Sequence, residues 1–189
     1  MQKITIFFEK YAKKKILFFL GIIIIIIASV LLGVVTPYLM RQTNGIPYLE
    51  TIPFYNTTKI YHAVKEYGVL GRTIYLQTSV TLDILLPLMT AIFLIILNIY
   101  LYKKVHRQNN KKFSQVIILL GLVTCLSDWL ENICMITVLK LYPIHHTKIV
   151  VVGAICTNFK YLMMIGWFAL LVYLLYRTVA SSMKKSSQN

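Results

Sequence analysis

Acidic residues are scarce in this chain: six Asp and Glu stand against twenty Lys and Arg in 189 residues, a formal charge of +14. Such a surplus can suit nucleic acid, but no aromatic-and-basic recognition motif accompanies it, and nucleic acid is not an expected partner. Cysteines are also few. The three present, Cys125, Cys134 and Cys156, form no C-x-x-C pair, so a thiolate zinc site or a disulfide oxidoreductase has no ligands to start from. All three lie in long apolar runs, and the spacing of Cys125 and Cys134 sets them on opposite sides of a helix, as buried inert thiols. No repeat period recurs, and the apolar runs do not resemble one another as the inverted halves of a transporter would.

What the chain has in excess is hydrocarbon. Hydrophobic residues make up 58% of it and its mean hydropathy is +0.69, where a soluble domain would be ~45–50% apolar. The excess is gathered into four blocks, at about 16–40, 79–102, 113–141 and 149–176. Each exceeds the ~20 residues that cross ~30 Å of bilayer core at ~1.5 Å per residue. The expected fold is all-α, a four-helix transmembrane bundle, with residues 1–189 forming a single integral membrane domain whose first partner is the lipid bilayer. Thirteen of the basic residues fall before span one, between spans two and three, or after span four, against six on the opposite side. Four spans put both termini on one face, and the positive-inside rule makes that face cytoplasmic. The N-terminal run resembles a signal peptide, but it is longer than a ~7–15-residue apolar core and no A-x-A site follows. It is expected to remain as span one.

The segment between spans one and two, residues 41–78, is the only sizeable loop. Its first half, with Gly45, Pro47 and Pro53, predicts irregular chain. Its second half, from Thr57, has Ile60, Val64 and Tyr67 at helical spacing and Gly68 as a stop. Tyr48, Phe54, Tyr55, Tyr61, Tyr67 and Tyr75 make the loop aromatic, which predicts an interfacial helix folded over the outer mouth of the bundle. His145 and His146 in the second outer turn, with His62, read as surface histidines; no metal and no cofactor is expected.

Against this apolar background, Asp83, Asp128, Glu131 and Lys160 fall inside spans. Each would cost ~2.5–3.5 kcal/mol at the bilayer centre if turned to lipid, so they are expected to face one another or a wet cavity. Asp128, Glu131 and Asn132 stand at i, i+3 and i+4 on one helix face. Counting depth along each helix brings Asp83 and Lys160 to comparable height, with Asn158 beside Lys160 and Arg72 above Asp83. The predicted site is a polar cavity in the outer half of the bundle lined by Asp83, Asp128, Glu131, Asn132, Asn158, Lys160 and Arg72. Three acids against one lysine leave carboxylate in surplus, which suits a ligand or ion site better than a simple staple between helices.

The elements GRTIY (71–75), DILLP (83–87), SDWLEN (127–132), YP (142–143) and NFKYL (158–162) resemble a family of small bacterial four-span membrane proteins. The resemblance implies the bacterial cytoplasmic membrane and the four-helix fold, and no particular reaction. Three functions are therefore weighed. The leading one is binding of a small ligand, lipid headgroup or cation, with transport requiring a homodimer. The next is an accessory subunit of a larger membrane partner, its charges fastening helices together. An intramembrane enzyme is the least expected: Ser127 points about 100° away from Asp128 on the helix, and no histidine lies at membrane depth.

Overall fold

The computed structural model describes residues 1–43, 45–49, 55–106 and 110–186, with only the backbone at 181–182 and 184–186. Pro53, Phe54 and Arg107, and the side chains of Lys184 and Lys185, lie outside the described residues. The elements are helices: α1 (Gln2–Tyr11), α2 (Lys14–Val30), α3 (Thr36–Gln42), α4 (Thr57–Glu66), α5 (Gly68–Ser79), α6 (Leu82–His106), α7 (Lys111–Leu141) and α8 (Thr147–Ser186). Four stretches are long and apolar enough to cross a bilayer: Lys14–Gln42, Gly68–His106, Lys111–Leu141 and Thr147–Ala180. These are the marks of a multi-pass membrane protein.

The first stretch runs through α2, a π-helical turn at Leu31–Val35 and α3. Pro37 has no N–H for the carbonyl four residues earlier, and the wider π turn just before it absorbs that mismatch. Thr36 Oγ1 donates to Leu31 O at 2.9 Å across the same turn. The loop contains two helices where the sequence predicted one. Asn56 caps α4, its Oδ1 accepting from Lys59 N at 2.9 Å. Gly68, at φ +60°, turns the chain into α5. Only Val80 and Thr81 separate α5 from α6, so the second apolar stretch begins earlier than residue 79. Thr78 and Thr81 hydroxyls donate to Ile74 O and Gln77 O at 2.9 and 2.7 Å, and such back-bonding locally weakens a helix.

The core of the bundle is α6, α7 and α8, with α7 against α8 as the most extensive contact. At Gly121 the close approach of α6 requires glycine: a Cβ would stand 2.6 Å from Ile95 Cδ1. The first span rests mainly on α6, and Phe18, Phe19, Ile25 and Leu32 on it are exposed. It is a satellite of a three-helix core. At the loop end, Tyr48, Leu49, Tyr55, α4, and Tyr67 and Tyr75 are buried against Met135, Val138 and Leu139 of α7. The aromatic loop therefore fills the loop end of the bundle. At the terminal end, α1 lies against α6 and α7, with Phe8 on the core and Lys103 Nζ donating to Glu9 O at 2.7 Å.

Candidate functional site

Asp128, Glu131 and Asn132 share one face of α7, and α8 presents Lys160 to it. Lys160 Nζ lies 2.7 Å from Asp128 Oδ1 and 2.5 Å from Glu131 Oε2, so one ammonium bridges two carboxylates. Side-chain exposure is 12% for Lys160, 17% for Asp128 and 0% for Glu131. The triad is enclosed, not turned to lipid. The other Glu131 oxygen accepts from Thr157 Oγ1 at 2.6 Å. Thr157 has one proton to give and Gly153 O, at 2.9 Å, competes for it; the shorter, charge-assisted bond to the carboxylate is the stronger claim. Tyr55 OH, 3.0 Å from Thr157 Oγ1, is then the donor in that pair. A hydrogen-bonded line thus runs from the loop to mid-membrane: Tyr55, Thr157, Glu131, Lys160, Asp128. Gly153 admits the phenol, since a Cβ there would come within 3.0 Å of Tyr55 OH and 2.7 Å of Met135 Cε. Burial pushes the Tyr55 phenol above the ordinary range.

Asn132 does something different. Pro87 sits inside α6 and cannot donate to the carbonyl of Asp83, four residues before it. Asn132 Nδ2 donates to that carbonyl at 3.1 Å, and Trp129 Nε1 donates to the next, Ile84 O, at 3.2 Å. Within a membrane, a carbonyl freed by proline must find such a partner. SDWLEN therefore grips two helices: Asp128 and Glu131 take α8 through Lys160, while Trp129 and Asn132 take two successive carbonyls of α6 in the turn before Pro87.

A cavity of about 510 Å³ opens from the triad, lined by α2, α6, α7 and α8. Asp128 and Lys160 stand at one end of it. The remaining lining is apolar apart from the hydroxyls of Thr90 and Thr124, and includes Ile24, Leu94, Met164, Trp167 and Phe168. Thr124 Oγ1 donates to Leu120 O at 2.8 Å and accepts from Trp167 Nε1 at 3.3 Å, so its bonding is already met. The other α7 lining residues, Gly121, Thr124 and Cys125, precede Asp128, and those on α8 run from Lys160 to Leu171. This cavity therefore extends from the triad toward the terminal end. The sequence placed it in the opposite half and made it polar. That other half is filled by the loop tyrosines, whose rings a bare count of helix depth does not register.

No protein-family model matches this chain, and comparison with curated proteins and with solved structures finds no match. The site must be read from its own geometry.

Of the seven residues predicted, Asp128, Glu131 and Lys160 come together. Asp83 is buried within electrostatic reach of all three, and its Oδ2 has no hydrogen-bond partner among the described residues. Asn158 instead donates to Ala154 O of its own helix at 2.9 Å. Arg72 is three turns from Asp83, donating to Val64 O at 3.2 Å with its guanidinium 4.7 Å over the Tyr142 ring; it fastens the loop helices. Ser127 Oγ donates to Val123 O at 2.9 Å along its own helix. His145 stacks on Tyr61 at 3.9 Å, and among the described residues no group of His, Cys, Asp and Glu has a metal-binding arrangement. Thr157 is the residue that sequence reasoning missed. Its place three residues before Lys160, on the same helix face, was the available signal.

Proposed function

We propose that this protein binds a small molecule inside the membrane, in the cavity that ends on Asp128 and Lys160. One observation carries the reading: an apolar chamber of ligand size terminates on an enclosed ion pair, where apolar side chains would serve stability as well or better. The site's polar groups are held by Glu131 and Thr157 from behind, so they meet an occupant already oriented. The proposal places the protein in a bacterial cytoplasmic membrane, with both termini in the cytoplasm. The test is thermal unfolding of purified protein with a panel of amphiphiles, beside Ala91→Phe, which puts a ring into the cavity. A compound at 100 times its Kd should stabilise the native state by about 2.7 kcal/mol and leave the variant unmoved. If nothing in the panel separates the two proteins, cavity binding is wrong.

A second reading is an accessory subunit whose charges fasten α7 to α8. It is favoured by the placement of both Lys160 partners on α7 and by the exposed apolar face of α2, which suits a partner helix as well as lipid.

A further inference from the structure

We infer that the occupant of this cavity is an uncharged amphiphile, an apolar chain ending in a hydroxyl group, and that it enters sideways from the bilayer between α2 and α8. The inference rests on the binding reading above and names the ligand class for that same site.

The head group follows from bonding capacity. An ammonium has three N–H donors, and Lys160 commits two of them to Asp128 and Glu131. Asp128 spends one oxygen on Lys160, and both residues line the cavity. Among the described residues, one Lys160 donor and the second Asp128 oxygen are thus left without a partner at that end. A hydroxyl satisfies both at once, accepting from Lys160 and donating to Asp128. Charge removes the alternatives. With Asp83 within electrostatic reach, three carboxyl groups face the one ammonium, so a carboxylate or phosphate head meets net repulsion. An ammonium head gains from that surplus but reaches Asp128 only beside the like-charged Lys160 ammonium, whereas a hydroxyl takes both partners without that repulsion.

The body follows from the lining. Away from Asp128 and Lys160, the walls carry no charged side chain. At about 30 Å³ per water-sized group, a cavity of about 510 Å³ holds on the order of 15 such groups. That is enough for a single chain, and too little for a two-tailed phospholipid.

The route follows from the helix contacts. Both α2 and α8 line the cavity, yet α2 rests chiefly on α6, and α2 and α8 share no extensive contact. The seam between them is therefore the weak wall. The loop end is shut by Glu131, Thr157 and Tyr55. A molecule already dissolved in the bilayer can reach the cavity without crossing a polar surface.

The experiment uses the full chain in lipid nanodiscs at pH 8. Four photoreactive probes share one chain length and carry a terminal hydroxyl, amine, carboxylate or plain methyl. Labelling of cavity peptides in α6 and α8 is followed by mass spectrometry against probe concentration. The hydroxyl probe is expected to saturate at a concentration at least tenfold below each of the other three. Its labelling should fall at least tenfold in Ala91→Phe, and also in Gly21→Leu, which fills the cavity from the α2 side. Any smaller margin over a charged or headless probe overturns the head-group assignment and leaves cavity binding standing. If no probe gives saturable labelling that the two filling variants suppress, the binding reading itself falls.

Discussion

The Asn132–Asp83 contact can be isolated from everything else in the bundle, because its cause is a single proline. In Asn132→Leu, the Asp83 carbonyl loses the donor that stands 3.1 Å away, and Pro87 cannot replace it. An orphaned buried carbonyl costs about 1–3 kcal/mol, whereas hydrogen bonds between membrane helices average about 0.6 and reach about 1.7 kcal/mol. Asn132 is buried and Asp83 is 6% exposed, so little water can substitute, and a loss of about 1–2 kcal/mol is expected. In Pro87→Ala, residue 87 regains an N–H aimed at the same carbonyl. In that background Asn132→Leu should cost about 1 kcal/mol less, well outside the ~0.3–0.5 kcal/mol scatter of independent sites. The assay is reversible unfolding of the four proteins in bicelles. If the two substitutions are additive, Asn132 does not serve the proline break, and the account of SDWLEN as a two-helix grip is wrong.

Two further outcomes test the triad and its loop connection. Lys160→Met strands Glu131, which is 0% exposed, and should cost about 3–5 kcal/mol; neutralising all three charges (Asp128→Asn, Glu131→Gln, Lys160→Met) should leave stability within about 2 kcal/mol of wild type. Equal losses in both would make the charges a staple. Tyr55→Phe should cost about 1 kcal/mol at pH 8, and its gap from wild type should change at alkaline pH. The folded state holds the Tyr55 proton more tightly than the unfolded chain does, so the contribution of this phenol is intact below about pH 10 and is lost as the unfolded phenol ionises above it. Wild type should therefore lose stability faster than Tyr55→Phe beyond that point; parallel curves would mean the phenol is not buried in the folded state.

The four spans were legible because bilayer thickness imposes a length and the composition obeys it. The pairing of Asp128 and Glu131 with Lys160 was legible for a related reason: charges at that depth have few partners, and i, i+3 spacing fixes a common face. Arg72 and Asn158 were misplaced because a depth count says how high a residue stands and nothing about its rotation around the helix axis. Asn158 had a carbonyl of its own helix within reach. Arg72 had the end of α4 and the Tyr142 ring. The role of Asn132 was latent in the sequence, since Pro87 announces an unpaired carbonyl four residues back, but which helix supplies the donor depends on packing. The helix α1 carries its signal in Phe8 and Thr5 on one face, hidden among lysines that read first as topology.

A staple and a binding site need not compete for the same residues, because their demands on the triad differ atom by atom. Fastening α7 to α8 requires Glu131, which has no exposure and is satisfied by Lys160 and Thr157. A pair of that kind would fasten the helices without Asp128. Asp128 adds a second carboxylate to a lysine already paired, lines the cavity, and is the most exposed of the three. Its position makes sense if Glu131 sets the ammonium in place and Asp128 offers the cavity an acceptor beside it. The distinction predicts an asymmetry: Asp128→Asn should disturb what the cavity holds far more than it disturbs the fold, and Glu131→Gln should do the reverse.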